Sequence, residues 1–186
     1  MDIRFYEKIE CNPVIAAIKD MDGLQKAIKI DSIKIIFILF GDICNITNIV
    51  NLIKESDKIA MVHIDLIGGL NSKDVAVEFI KKNTKADGII TTKPNLVKKA
   101  KELSLLRFFV IDSMALENVF KTQNNVNPDV IEVLPGVMPK IIKKISKKLK
   151  CPLIAGGLIT DKEDIMEVLT AGAVCVSSTN QNTWLM

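Results

Sequence analysis

Short apolar runs rich in Ile and Val recur along the chain, and each is followed by a turn and a stretch with helical periodicity. The runs do not alternate strictly between apolar and polar residues, which is typical of parallel strands covered on both faces. The predicted strands comprise residues 14–18, 35–40, 59–66, 88–92, 108–111, 130–134, 153–155 and 173–176.

The segments between these runs predict amphipathic helices. Ile142 and Ile145, for example, fall at helical spacing on the face opposite a series of lysines. Pro94 and Pro139 lie near two predicted first turns, where a missing N–H costs little. The regular succession of eight strand–helix units predicts a TIM-like (β/α)8 barrel that forms one domain over residues 1–186.

The chain length adds a constraint, because 186 residues is short for a barrel fold in which ~250 is typical. We therefore expect a compact barrel with minimal loops or with one reduced unit. The alternative is an open, doubly wound sheet. That fold would more naturally carry a Gly-x-Gly-x-x-Gly motif after its first strand, and the chain has none.

Composition and charge exclude several classes of protein. The chain is 48% hydrophobic and 25% charged, which argues against intrinsic disorder, and its formal net charge is +3. No apolar run is long enough to span a membrane, and the first residues lack the pattern of a signal peptide. The 4 cysteines are scattered and His63 is the only histidine, so we expect no zinc site. These features predict a cytoplasmic protein with reduced thiols.

Polar residues end the third predicted strand. With a period of two, His63 and Asp65 share one face, whereas Ile64 and Leu66 belong to a fully apolar face that should pack against the helices. His63 and Asp65 are therefore expected to face the barrel interior near its mouth. For His63, a hydrogen-bonded core histidine and a ligand contact are both open.

Three other polar residues are expected at the same mouth, where barrels place their functional groups. Asp112 falls on the same face as Phe108 and Val110 of the fifth strand, Glu132 lies on the sixth strand and Lys93 follows the fourth. Together with Asp65 they could carry out acid–base chemistry, or bind a polyol with carboxylates on its hydroxyls and Lys93 on an anion. They could equally pair with one another as a buried polar layer.

Glycines and serines follow the last two strands. Gly156 and Gly157 come after the seventh strand, and Ser177 and Ser178 lead from the eighth into a short predicted helix, residues 181–184. Glycines let backbone N–H groups approach phosphate oxygens, and a helix N-terminus adds partial positive charge. Barrels commonly bind phosphate after strands seven and eight, so this corner predicts a phosphate site. The alternative is two turns that merely require these residue types.

Lysines are clustered along the sequence. Residues 140–150 contain six lysines and no acidic residue, among them Lys140, Lys143, Lys144, Lys147 and Lys148. Such a stripe could neutralise the phosphates of a nucleic acid, although a solvated helix face is its usual explanation. Aromatic residues make up only 5% of the chain, which makes a base-stacking platform improbable.

Taken in order, the motifs at the strand ends resemble the GlpP-type glycerol uptake operon antiterminators over almost the whole chain. The matching strings are NPVIAA at 12–17, VHIDL at 62–66, ADGIITTK at 86–93, DS at 112–113, IEVLPG at 131–136, AGGLI at 155–159 and SSTN at 177–180, followed by Trp184. The chain departs from the family pattern at Gly68, where many members carry Glu.

The resemblance implies a cytosolic regulator that is not an enzyme and needs no cofactor. It would respond to glycerol 3-phosphate, bind the leader of a glycerol-catabolic messenger RNA and prevent transcription termination. Together with the residues at the strand ends, this leads to the hypothesis that the backbone amides of Gly156 and Gly157, with Ser177 and Ser178, hold the phosphate. The glycerol hydroxyls would then meet Asp65, Glu132 and Asp112, and Lys93 would compensate the charge. Oligomerisation is compatible with this function.

Two other functions remain open. The first is an enzyme acting on a small phosphorylated sugar or polyol, for which Lys93, Asp65 and Glu132 would supply the chemistry. The second is a barrel that serves as an interaction module without a ligand of its own.

Overall fold

The computed structural model describes residues 3–112 and 125–186, which form a closed barrel of eight parallel strands. The strands are β1 (Val14–Ile18), β2 (Ile35–Ile38), β3 (Ile59–His63), β4 (Gly88–Thr91), β5 (Leu106–Asp112), β6 (Val130–Leu134), β7 (Leu153–Gly156) and β8 (Cys175–Ser178). Neighbours in space follow the chain order, and β8 pairs with β1 to complete the circle. The predicted TIM-like barrel is confirmed, and the open-sheet alternative is excluded.

Seven α-helices lie in the described parts of the chain. They are α1 (Ile3–Cys11), α2 (Met21–Ala27), α3 (Ile46–Glu55), α4 (Asp74–Asn83), α5 (Pro94–Glu102), α6 (Pro139–Ser146) and α7 (Lys162–Thr170). β8 is followed only by a short 3₁₀ helix, Gln181–Leu185. The eighth unit is therefore reduced, which helps the barrel fit into so short a chain.

Local sequence signals explain where several helices begin. The carboxylate of Asp20 accepts a hydrogen bond from Gly23 N at 2.7 Å at the start of α2. Asp161 accepts one from Asp164 N at 2.9 Å at the start of α7. Both side chains satisfy amides that have no partner within their helix. Pro94 and Pro139 open α5 and α6, as the sequence predicts.

Two apolar layers hold the barrel together. Outward side chains such as Val62 pack under the helices, whereas inward side chains such as Met61 fill the barrel. The inward layer includes α1, which was not predicted: the ring of Phe5 lies edge-on to Phe108 with centroids 5.1 Å apart. Phe5 shares this layer with Ile35 and Ile59, the first residues of β2 and β3, whereas the cavity described below opens at the C-terminal ends of the strands.

The third strand is shorter than predicted, and this changes where two side chains lie. β3 ends at His63, and residues Ile64–Leu66 form a turn of 3₁₀ helix. A 3₁₀ helix has three residues per turn, so the alternation of a strand stops there. Leu66, predicted to face the helices, is instead 51% exposed and lines the barrel mouth. Asp65 likewise lies outside the strand.

Candidate functional site

A cavity of about 420 Å³ opens at the C-terminal end of the barrel. It is bounded by β1, β2, β3, β6 and β8 and by the turns after β7 and β8. Its described lining consists of Ala17, Phe37, Leu39, His63, Leu66, Glu132, Leu134, Gly157, Leu158, Ile159, Thr160, Ser177, Ser178, Thr179 and Asn180. The lining is apolar around most of its wall and polar at the β7–β8 corner.

Glu132 is the only carboxyl group in this described lining. Its position inside β6 points it into the barrel, as the sequence predicts, and only 5% of the residue is exposed. The Ser177 hydroxyl donates a hydrogen bond to Glu132 Oε1. Burial raises the pKa of Glu132 to about 7, and the hydrogen bond from Ser177 opposes that rise. The carboxyl group can therefore gain or lose a proton near neutral pH.

Gly156 lies at the end of β7, between the strands that carry Glu132 and Ser177. A Cβ atom on Gly156 would come within 2.6 Å of Ser177 Oγ and closer still to Glu132 Oε1. Glycine is thus required here by close approach, because any side chain would fill the space that the two groups share.

The turn after β7 has two consecutive residues in the left-handed region, Gly157 at φ +73° and Leu158 at φ +62°. The Leu158 side chain is 69% exposed at the cavity mouth. Gly136 N donates to Gly157 O at 3.0 Å and so ties this turn to the loop after β6. The corner is therefore shaped by backbone geometry.

The hydroxyl of Ser178 has a partner within the protein. Ser178 Oγ donates to Ile159 O at 2.8 Å and accepts from Asn180 N at 3.1 Å. The buried indole of Trp184 donates from Nε1 to Ser178 O at 2.8 Å and fixes the last turn of the chain against β8. The glycine and serine pairs predicted to form one corner do meet, but both serine hydroxyls already make protein hydrogen bonds.

His63 lies at the end of β3 and lines the cavity. Its Nδ1 atom is buried and has no hydrogen-bond partner among the described residues. Burial lowers the pKa of the imidazole, while the nearby Asp65 and an interaction with the residue's own backbone act in the opposite direction. The sequence left the role of His63 open, because periodicity predicts the direction of a side chain but not whether it has a hydrogen-bond partner.

Asp65 does not line the cavity. Its carboxylate accepts hydrogen bonds from Thr91 Oγ1 at 2.7 Å, Thr92 N at 2.7 Å and Thr92 Oγ1 at 2.9 Å. Asp65 thus joins the turn after β3 to the end of β4. Lys93 is exposed at the start of α5, and its amide donates to Thr91 Oγ1 at 3.0 Å. Its side chain lies outside the described lining as well.

Asp112 is the last residue of β5, and its backbone pairs with Leu134 on β6. Its side chain lies outside the described residues. The sequence expected several acids and a lysine around the mouth. In its described lining the structure brings together only Glu132, His63 and the β7–β8 corner.

The predicted basic helix corresponds to α6 and the residues after it. Ile142 and Ile145 are buried, and Lys140, Lys143, Lys144, Lys147 and Lys148 are exposed. The helix starts directly after the loop that joins Leu134, in the cavity wall, to Pro139. The helix begins near the mouth, with Lys140 in its first turn, and runs back toward the start of β7, so its lysines form a positive surface along this side of the barrel.

Neither a metal site nor a membrane span is found within residues 3–112 and 125–186. No three His, Cys, Asp or Glu side chains are grouped there so that they could hold a metal ion. None of the helices in these ranges is long and apolar enough to cross a bilayer.

Comparisons with known proteins extend over nearly the whole chain. The family model described as "Glycerol-3-phosphate responsive antiterminator" matches residues 14–184. The Escherichia coli (strain K12) protein YgcP, which is described as uncharacterized, is 44% identical over 178 residues, covering 94% of this chain and 93% of that protein.

Two similar crystal structures support the same relationship. The glycerol uptake operon antiterminator regulatory protein of Listeria monocytogenes str. 4b F2365 has a TM-score of 0.89 and 30% identity, over 94% of this chain and 95% of that one. A glycerol uptake operon antiterminator-related protein of Thermotoga maritima MSB8 has a TM-score of 0.82 and 31% identity, over 93% and 98%. Barrel enzymes also match at 12% to 18% identity, which shows the fold alone. The chain therefore belongs to the family of glycerol-3-phosphate responsive antiterminators.

Proposed function

We propose that this protein senses glycerol 3-phosphate, binds the leader messenger RNA of a glycerol-catabolic operon in the cytoplasm, and prevents transcription termination there. Family membership supports the regulatory role. The observation that carries the ligand proposal is the cavity at the barrel mouth, which Gly157, Ser177 and Ser178 line. Gly156 is outside the described lining and adjoins it as the strand partner of Ser177. Barrels commonly hold phosphate groups at this corner.

In this proposal the phosphate lies against the backbone of Gly156 and Gly157 and the turn that begins at Ser177 and Ser178. Backbone amides are the main donors, because both serine hydroxyls have acceptors within the protein. A bound phosphate dianion would disfavour a second negative charge on Glu132. Once Glu132 is protonated, it can donate to Ser177 Oγ, and the Ser177 hydroxyl can then turn to the phosphate.

The glycerol hydroxyls meet Glu132 in this arrangement. Asp112 remains a predicted contact, since its backbone pairs with Leu134 in the cavity wall. Asp65 and Lys93 act from outside the cavity, Asp65 by holding the end of β4 through its hydrogen bonds to Thr91 and Thr92.

The RNA binds on the side of α6, through Lys140, Lys143, Lys144, Lys147 and Lys148. Their exposure on one side of the barrel supports this surface, because phosphate contacts supply much of the affinity for nucleic acids. The loop after β6 connects the cavity wall to α6, so the ligand can alter the position of this helix. Regulation requires that RNA affinity differ between the ligand-free and ligand-bound states.

Two measurements test the proposal. Calorimetry should detect binding of glycerol 3-phosphate and far weaker binding of glycerol, and equal weak affinities would reject the phosphate site. A gel shift with a glycerol-operon leader RNA should change with glycerol 3-phosphate and weaken steeply as salt is raised. A leader of the same length and scrambled sequence is the control, and equal binding of the two RNAs would reject sequence-specific regulation.

A second candidate function is an enzyme acting on a small phosphorylated sugar or polyol. It is supported by Glu132, with a pKa of about 7, in the same cavity as an imidazole whose pKa is lowered. Such a pair can transfer protons at neutral pH. Turnover of a phosphosugar that is abolished in Glu132→Gln and reduced in Lys93→Ala would favour this function. If none of a series of phosphorylated sugars and polyols is turned over, the enzymatic function is rejected.

A further inference from the structure

The cavity contains a buried imidazole nitrogen that the protein itself leaves unpaired. Nδ1 of His63 has no hydrogen-bond partner in the described chain, although most buried polar atoms in proteins have one. We propose that His63 recognises a hydroxyl group of the ligand, and that it thereby restricts the site to phosphate monoesters of a neutral, hydroxylated carbon chain. This inference rests on the phosphate corner of the proposed function.

The strand order places His63 across the mouth from the phosphate corner. In a closed barrel of eight strands, β3 and β7 are four positions apart in either direction and so lie opposite each other. His63 ends β3, and Gly156 and Gly157 end and follow β7. Gly157 and His63 both line the cavity, so a ligand anchored by its phosphate at Gly157 can extend its carbon chain across the cavity towards His63.

The chemistry of the imidazole favours a hydroxyl as its partner. Burial lowers the pKa of His63, so the ring is neutral at pH 7, with one nitrogen that accepts and one that donates. A hydroxyl group can both donate and accept, and it can pair with Nδ1 in either tautomer. The cavity wall that contains His63 also includes Phe37 and Leu39, whose side chains offer no competing polar group.

The charges of the cavity disfavour a second anionic group on the ligand. The described lining holds no Lys or Arg side chain, and its one carboxyl group belongs to Glu132. A carboxylate at the far end of the ligand would be buried without a cation to compensate its charge. The site therefore selects glycerol 3-phosphate over 3-phosphoglycerate and over propyl phosphate, which lacks both hydroxyls.

Calorimetry with glycerol 3-phosphate and propyl phosphate tests the role of His63 directly. The wild-type protein should prefer glycerol 3-phosphate to propyl phosphate about tenfold or more, a difference of about 1.4 kcal/mol. His63→Leu should reduce this preference at least threefold and keep the affinity for propyl phosphate, because only the contact of Glu132 with the hydroxyls remains. His63→Asn, whose amide lies near the position of Nδ1, should restore much of the preference.

The outcomes separate this inference from the function on which it rests. Equal wild-type affinity for glycerol 3-phosphate and propyl phosphate would overturn the role of His63 and leave the phosphate site intact. The role of His63 is also overturned if His63→Leu still prefers glycerol 3-phosphate to propyl phosphate as the wild type does, or if its affinity for both esters falls by the same factor. If the wild-type protein binds no phosphate ester, the proposed function fails and the inference fails with it.

A spectroscopic measurement avoids any dependence on the folding of the variants. Because the chain has a single histidine, ¹⁵N-histidine labelling of untagged protein gives the signals of His63 alone. Saturation with glycerol 3-phosphate should shift the Nδ1 resonance, whereas propyl phosphate should leave it nearly unchanged. An Nδ1 signal that does not move with glycerol 3-phosphate at saturation would overturn the inference.

Discussion

Ser177 on β8 donates a hydrogen bond from its hydroxyl to the carboxyl group of Glu132 on β6, although β7 lies between the two strands. The contact is possible because β7 carries Gly156 at this level, where no side chain separates the two groups. The hydrogen bond between two side chains that line the cavity thus depends on the absence of a side chain at Gly156.

Gly156→Ala is expected to break this arrangement. The new methyl group would stand 2.6 Å from Ser177 Oγ, in a wall that also contains Leu134, so the side chains must move apart. We expect stability to fall by about 1–3 kcal/mol, as for other overpacked cores, and affinity for glycerol 3-phosphate to fall at least tenfold. Thermal unfolding and calorimetry measure the two effects.

Gly157→Ala is the matched comparison for that substitution. It places a residue with a side chain at φ +73°, but the nearest atom to its Cβ is the flexible Leu134 Cδ2 at 3.2 Å. We expect a loss of about 1 kcal/mol from backbone strain. The pKa of Glu132 in each variant reports on its interaction with Ser177. If Gly156→Ala and Gly157→Ala change this pKa equally, the role assigned to Gly156 is contradicted.

Glu132 should make the stability of the protein depend on pH. A carboxyl group with a raised native pKa binds its proton more tightly in the folded state, so its stabilising contribution is present at low pH and is lost as pH rises. The loss should run from about pH 4.5, the unfolded value, to about pH 7, the native value, and amount to roughly 3 kcal/mol. Urea unfolding at pH 5 and at pH 8 measures it.

Glu132→Gln is the control for that titration, because the amide keeps the shape and cannot ionise. The variant should match the wild type near pH 5 and exceed it in stability at pH 8. His63 acts in the opposite direction, since a lowered native pKa costs stability as pH falls below about 6.5. Because both the wild type and Glu132→Gln contain His63, its contribution cancels when their free energies of unfolding are subtracted. If that difference does not vary with pH, the titration of Glu132 is contradicted.

The sequence predicts the barrel well because its signals are local and repeated. β1 and β6 have the predicted bounds, and the inward direction of Glu132 follows from the two-residue period. The meeting of Gly156 with Ser177 follows from the adjacency of the last two strands. These are properties of strand order and alternation, which can be inferred without coordinates.

The partners of the polar groups could not be predicted in the same way. Asp65 forms its hydrogen bonds with Thr91 and Thr92 because β3 ends at His63, and no residue type in that segment marks the end of the strand. The interaction of Ser177 with Glu132 depends on distances across β7. Helix α1 could have been predicted from the helical spacing of Phe5 and Ile9, which are both buried in the inner apolar layer.

Asp65→Ala is expected to weaken the protein without removing a direct ligand contact. The substitution leaves the buried Thr91 hydroxyl and the Thr92 amide without their acceptor. We expect a loss of about 1–2 kcal/mol in stability and a change of less than threefold in affinity for glycerol 3-phosphate. A loss of ligand affinity of tenfold or more with unchanged stability would instead make Asp65 a ligand residue.

Three lysines of α6 provide the test of the RNA surface. Replacing Lys140, Lys143 and Lys144 with Gln removes three exposed charges and lowers the formal net charge from +3 to zero. If each contacts a phosphate, affinity for the leader RNA should fall at least tenfold at low salt. The slope of log affinity against log salt should decrease by about 0.7–0.9 for each lost contact.

A triple variant on the other face separates a local contact from an effect of net charge. Lys81, Lys85 and Lys98 lie on or next to α4 and α5, are exposed, and change the net charge by the same amount when replaced with Gln. Because a specific interface depends on where the charges lie, this variant should keep most of the affinity and the salt slope. An equal loss in both variants would indicate a diffuse electrostatic attraction, and a loss confined to the second would move the RNA surface to α4 and α5.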